Sequence, residues 1–433
     1  MSLGDKDARA SPVEKAHDSK EEKSIEPQTE DNSAWRLVRA LKEPNYRYYF
    51  MGQGISLIGT WMQNATLGWV AFSFAEQSRW PAWVSASQLL PSVILGPLAG
   101  RFIDRLPKRK LILITQSILA LLGLALALAS WADWLTPGRL IVWAVVSGMV
   151  LGIDLPARLA YLVDLAGRGS LPNAVALNSF QFNLARAIGP SIAALVMVQW
   201  GAPACFALNA LTYTAVLFAL FLNDAPGLPH PRLHAKGGTA TAAIPPSVWG
   251  TVILAGLVSG LGWPVLALAP GYASQVLHQG PETYAYLLAG IGVGALCACV
   301  WVAAERSESQ RRFRMDLAML SVGCGLSILA QVERMELALL AAPMVGLGMV
   351  GFLATAQTMV QMQAPASQRG FILGVWTGVL SGSLPLGNFL AGPLADEFGV
   401  AFVLKMAGLG ILLALGIRVA IGWAGPYRGP VRL

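Results

Sequence analysis

Charge is scarce in this chain. Only 13% of its 433 residues are Asp, Glu, Lys or Arg, where a soluble domain has about a quarter. A water-exposed surface for a chain of this length needs more, which speaks against a soluble enzyme or binding module. Histidine is scarce too, with four residues; His230 and His234 sit in a polar stretch and form no ligand cluster. The four cysteines, Cys205, Cys297, Cys299 and Cys324, all fall in apolar segments. Cys297-Ala-Cys299 has no further ligand nearby to complete a metal site, so buried free thiols are expected. No Walker-type glycine loop is present, which argues against ATP as an energy source. No constellation argues for catalysis, and no cofactor or metal is expected.

Long apolar runs take the place of charge. Hydrophobic residues make up 55% of the chain, and the mean hydropathy is +0.54. The segment 111–131, "LILITQSILALLGLALALASW", carries no charge. It is long enough to cross a ~30 Å hydrocarbon core as a helix. Twelve such segments are expected, at 47–75, 82–103, 111–132, 138–157, 172–199, 202–222, 247–273, 283–304, 315–332, 336–362, 370–395 and 400–422. The chain therefore reads as an all-α membrane protein whose main surroundings are the lipid bilayer. Residues 1–45 form a polar tail, disordered by composition over 1–34. Residues 46–222 and 247–422 form two halves, joined by a Pro- and Gly-rich linker at 223–246 and followed by a short tail at 423–433.

The net charge of +7 does not point to nucleic acid. Basic residues concentrate in the connections on one side: Arg101 to Lys110, Arg158 and Arg168, Arg232 and Lys236, Arg306 to Arg314, and Arg369. Only Arg79, Arg139, Arg334 and Lys405 fall on the other. By the positive-inside rule, both termini are expected in the cytoplasm, with Trp80, Trp83, Trp131, Trp134 and Trp200 in an outer aromatic belt. The halves also look related. A shift of 198 residues superposes Gly148 on Gly346, Gly189 on Gly387 and Gly201 on Gly399. Six-helix repeats of this kind build a site between two bundles at the bilayer midplane.

Residues 100–110 read "GRFIDRLPKRK", a charged turn between two apolar runs. With the twelve segments and their six-and-six division, the turn resembles the signature loop of the major facilitator superfamily. Gly100, Asp104, Arg105, Lys108 and Arg109 match it in place or in kind; Phe102 and Pro107 depart from it. The segments 52–72, 89–105, 154–165 and 171–196 are similar to the branch that holds enterobactin exporters and macrolide efflux pumps. The resemblance implies two pseudo-symmetric six-helix bundles and secondary transport by alternating access. It implies that Asp104 latches the bundles on the cytoplasmic side, pairing with nearby Arg and the helix N-terminus near Arg369 and Gly370. Topology alone would explain the cations but not the acid. Gly189-Pro190, with Ala185, Ala193 and Ala194, resembles the helix-5 motif of exporters; close helix packing is the plainer reading.

Other residues stand out by position. Arg186 falls deep in a span, where a guanidinium stays charged and costs roughly 2.5–3.5 kcal/mol to insert. It contacts either a substrate or backbone carbonyls freed near Pro190. Asp154 and Arg158, around Pro156, read as a helix-end ion pair or as partners of the Asp104 cluster. No carboxylate is expected near mid-membrane, so proton coupling, if present, runs through acids such as Asp154 or Asp104. Polar faces recur at Gln53, Thr60, Gln63 and Asn64, at Asn178 and Gln181, at Gln357 and Gln361, and at Trp376 and Asn388. With Trp263 and Tyr284 they suit a bulky amphipathic small molecule. The expected activity is export of a small amphipathic or anionic solute, siderophore- or drug-like, by a monomer in a bacterial inner membrane. An importer or iron-related permease of the same fold, a lysophospholipid flippase and a non-transporting scaffold are the alternatives.

Overall fold

The computed structural model describes residues 39–103, 106–223, 244–303, 307–365 and 368–424. Every regular element among them is helical. A single 3-10 turn, Arg39–Lys42, precedes α1 (Pro44–Ser73), α2 (Arg79–Ile103), α3 (Lys108–Trp131) and α4 (Pro137–Phe221). Then come α5 (Pro246–Gly262), α6 (Val265–Gly271), a π-helical turn at Tyr272–Val276, and α7 (Pro281–Ala303). The chain continues through α8 (Glu308–Leu329), α9 (Met335–Gln363), α10 (Arg369–Phe398) and α11 (Val400–Ala424). Proline opens α1, α4, α5 and α7, where its fixed φ fits and its missing N–H is not needed. Thr136 caps α4 by accepting from Arg139 N at 3.3 Å. Ser307 caps α8 by accepting from Gln310 N at 3.2 Å.

The 85 residues of α4 are not one rod, which would run roughly 130 Å at 1.5 Å per residue. Its contacts along α1 reveal two reversals. Tyr49 packs edge-on against Tyr161 at 5.7 Å, while Leu67 shares a core with Leu140 and Ala144, so the first leg runs antiparallel to α1. Tyr46 donates to Ala174 O at 3.2 Å and Gly189 packs on Trp61, so the second leg runs parallel. Gly52 packs on Ala219, and Gly59 on Asn209, so the third leg is antiparallel again. The second turn is Gly201, at φ +80°, a conformation only glycine adopts freely. Cys205 Sγ thereby comes within 3.7 Å of Ala193 O, twelve residues back. Seven stretches of the described chain are long and apolar enough to span a bilayer, among them Pro137–Ala166 and Asn173–Phe221.

Helices α1 to α4 pack mainly on one another, as do α5 to α11; the two groups meet chiefly where α4 touches α7 and α2 touches α10. The three glycine pairs related by the 198-residue shift play matching parts. A Cβ on Gly148 would lie 2.1 Å from Gln88 O, and one on Gly346 would lie 1.8 Å from Ile291 O. One on Gly189 would lie 2.9 Å from Ile58 O, and one on Gly387 would lie 2.2 Å from Gly260 O. Gly201 and Gly399 both turn the chain at positive φ, +80° and +88°. The segment expected at 138–157 is longer than its apolar run implied, because helix continues past Pro156. The segment expected at 247–273 is broken at Trp263-Pro264, where the proline removes a backbone donor.

Candidate functional site

Arg186 lies on the second leg of α4 and is 4% exposed. Gly189 sets its surroundings. With no side chain there, α1 comes so near that a Cβ would meet Trp61 Cβ at 2.6 Å. Arg186, nearly one turn earlier on the same face, then sits with its guanidinium carbon 5.7 Å from the Trp61 ring. Trp263, at the end of α5, approaches from the other group of helices at 5.6 Å. Nη2 donates to Asn183 Oδ1 at 2.9 Å, while Nε is buried with no hydrogen-bond partner. No carboxylate among the described residues pairs with this cation. Two indole faces soften the burial of the charge but leave it unneutralised.

Arg186 lines a cavity of about 190 Å³ between the two groups of helices. Asn64, Ser85, Gln88, Asn388 and Tyr284 share the wall, together with both tryptophans and Pro190. Among the described residues, Arg186 is the only charged one lining it. The wall is therefore apolar and aromatic, with a few polar groups and one positive charge. Chemically it offers a seat for an anion with an apolar body.

Asp154 tells the opposite story. It is wholly buried, yet every side of its carboxylate is engaged. Oδ1 accepts from Thr115 Oγ1 at 2.6 Å and from Gln116 Nε2 at 3.0 Å. Oδ2 accepts from Gln116 Nε2 at 3.0 Å and pairs with Arg158 Nε at 2.9 Å. This corrects the expectation that Asp154 ends a helix. Helix runs on to Ala166, about 18 Å further, since membrane helices tolerate a proline such as Pro156. Arg158 also faces a second cavity, of about 90 Å³, with Tyr49, Gln53, Asn178 and Phe182. Thr115 and Gln116 had no signal in the sequence beyond being polar in an apolar run.

The two ends of the molecule are fastened differently. At the Lys108 end, Lys108 Nζ pairs with Asp164 at 2.9 Å, both nearly buried. Arg109 donates to Leu220 O at 2.8 Å and to Phe221 O at 3.2 Å, covering carbonyls at the end of α4. These bonds stay within one group of helices. Asp104 and Arg105 lie outside the described residues. At the other end, Asp396 of α10 reaches across to α2. It accepts from Ser78 N at 2.6 Å and Arg79 N at 3.3 Å, and pairs with Arg79 Nε at 2.5 Å. An acid from one group thus caps a helix of the other.

The remaining expected site residues divide. Asn64 joins Arg186 at the larger cavity; Gln53 and Asn178 join Arg158 at the smaller. Thr60 donates to Ser56 O within α1 at 2.9 Å and lies 3.5 Å from Tyr213 Oη on α4. Gln63 accepts from Asn209 at 2.8 Å, and Gln181 donates to Phe50 O at 2.5 Å; both of these bonds tie α1 to α4. Gln357 and Gln361 are exposed and reach neither cavity. Trp376 is 3% exposed, inside the core of the second group. Gly189 serves close packing, and Pro190 lines the larger cavity.

Comparison with known proteins identifies the family. The chain is similar to the enterobactin exporter EntS of Escherichia coli O1:K1 / APEC, with 25% identity over 408 residues, 89% of this chain and 95% of that protein. It is similar to the multidrug efflux pump Tap of Mycolicibacterium fortuitum, with 24% identity over 381 residues, 84% and 91% of the two chains. A bacterial homologue of the human lysosomal transporter Spinster, solved inward-facing and occupied, superposes with a TM-score of 0.70 at 11% identity. That match covers 89% of this chain and 97% of that one. The family model described as transmembrane secretion effector matches residues 37–422. The chain belongs to this family of the major facilitator superfamily, whose members are multi-pass membrane transporters and not enzymes.

Proposed function

We propose that the protein is a secondary exporter of a small anionic, amphipathic solute, with Arg186 as the cargo's counter-charge. One observation carries this reading: a buried cation, with no acid beside it among the described residues, lines a cavity between two groups of helices. Such a charge is costly and persists where it serves function. Twelve spans in two six-helix bundles, 46–222 and 247–422, rock about this cavity. The three legs of α4 and the matched glycine pairs support that count and symmetry. The Arg79 end is clasped across the groups by Asp396, which supports a state closed there and open at the Lys108 end. The basic residues gathered at the Lys108 end support a cytoplasmic location for it and for both termini, in a bacterial inner membrane. Asp104 is proposed as the opposing latch when that end closes. Protons are the proposed coupling ion. The exporter and efflux relatives support the outward direction. The unit is a monomer.

The test is reconstitution into liposomes with an imposed pH gradient, offering catechol siderophores, macrolides and lysolipids. Gradient-dependent movement of an anionic cargo, lost in Arg186→Gln, supports the proposal. Movement of lysolipid alone, with Arg186→Gln unaffected, replaces it with a flippase.

A further inference from the structure

The cavity holds a second unmet demand, opposite in sign to that of Arg186. Asn388 of α10 lines the same wall and is 2% exposed. Its amide nitrogen donates to Ser85 Oγ at 3.0 Å, which fixes that end. Its carbonyl oxygen, Oδ1, is buried with no hydrogen-bond partner. Buried acceptors are rarely left so, because the missing bond is not recovered elsewhere. Arg186 Nε is likewise buried and unpartnered. The wall of one cavity thus includes a residue with an unpaired cationic donor and a residue with an unpaired neutral acceptor. They come from different groups of helices: Arg186 from α4 and Asn388 from α10. Between them the wall is aromatic, formed by Trp61, Trp263 and Tyr284.

Resting on the reading of Arg186 as an anion site, we infer that the cargo carries two marks on one aromatic or apolar body. One is an anion, for Arg186. The other is a hydrogen-bond donor, a hydroxyl or N–H, for Asn388 Oδ1. Phenolic acids, hydroxy acids and acylated amino acids belong to this class; simple fatty acids and cationic drugs do not. No acid among the described residues lines the cavity to receive a cation. A molecule with both marks bonds to both groups of helices at once. Binding then stabilises the arrangement in which the two groups meet around it, since a ligand shifts a conformational equilibrium by its differential affinity.

The class can be tested with four small probes of similar shape on the full-length protein in detergent or nanodiscs. Phloretate carries the anion and the phenolic donor. Its phenolic methyl ether keeps the anion and the acceptor oxygen but loses the donor. Its methyl ester keeps the donor but loses the anion. Tyramine keeps the donor and replaces the anion with a cation. Equilibrium binding of each is measured. Phloretate should bind best. The methyl ether should bind roughly ten-fold weaker, since a buried acceptor stays unpaired. The ester should be at least that much weaker, and tyramine should not bind measurably. In Asn388→Ala the gap between phloretate and its methyl ether should close, while dependence on the anion persists. Wild-type protein alone decides the main point, so a poorly folding variant does not remove the test. If phloretate and its methyl ether bind wild type equally, both better than the ester, the donor inference is overturned and the anion site stands. If the ester or tyramine matches phloretate, or if no probe binds, the anion site itself falls and the inference falls with it.

Discussion

Two buried charges on α4, Asp154 and Arg186, teach opposite lessons. Asp154 is fully enclosed, accepts hydrogen bonds from Thr115 and Gln116, and is ion-paired with Arg158. All of its partners belong to its own group of helices. Arg186 is nearly as buried, but its Nε has no partner, and its neighbours Trp61 and Trp263 come from both groups. A satisfied charge inside one group of helices holds that group together. An unsatisfied charge between two groups leaves a demand that no described side chain meets. Burial alone would have ranked the two alike; counting partners separates them.

The sharpest way to break this comparison is to remove each charge in turn and measure thermal unfolding in detergent. Asp154→Ala strands Arg158 in the interior and should cost about 3–5 kcal/mol. Arg186→Met removes an unpaired charge and should leave stability within about 1 kcal/mol of wild type, or raise it. Equal losses in the two variants would remove the distinction. A step smaller, Gly189→Val forces a side chain between α1 and α4. A Cβ there would already lie 2.6 Å from Trp61 Cβ and 2.9 Å from Ile58 O. Overpacking of this kind costs typically 1–3 kcal/mol, and here it should also displace Trp61 and weaken anion binding.

Asp396→Asn probes the clasp at the Arg79 end. It keeps a cap on α2 but removes the charge that pairs with Arg79. Because Arg79 is 38% exposed, the stability change should be about 1 kcal/mol or less. The clearer readout is distance: spin labels on the ends of α2 and α10 should report a wider, more populated opening at that end. The smallest effect belongs to Glu308. Arg312 beside it holds its carboxyl below the usual range, so its contribution is present at neutral pH and fades as pH falls through that lowered value. The pair is exposed, and Glu308→Gln should shift the unfolding midpoint barely at all.

Much of the architecture was legible in the sequence because membranes leave few options. Uncharged runs of spanning length must be helical. The glycines at 148, 189 and 201 announced their counterparts at 346, 387 and 399 through a plain shift in number. Arg186 was legible too, since a guanidinium deep in an apolar run has no ordinary place there. Its tryptophan neighbours were not. Trp61 meets Arg186 through the approach that Gly189 permits, and Trp263 through the break at Pro264; both depend on how helices cross. Asp154 was misplaced for a related reason. Pro156 and the nearby cations suggested a helix end, but neighbouring helices supply enough packing for the helix to continue. Gln357, Gln361 and Trp376 shared the right composition but fell on other faces. A polar or aromatic residue in a span carries no label for the direction it points.

The central claim is that Arg186 receives an anion, and the most direct measurement is saturable binding of phloretate to purified Arg186→Met protein, with wild type in parallel. The account predicts a folded, monodisperse variant that has lost saturable binding. Unchanged affinity in that variant would contradict it.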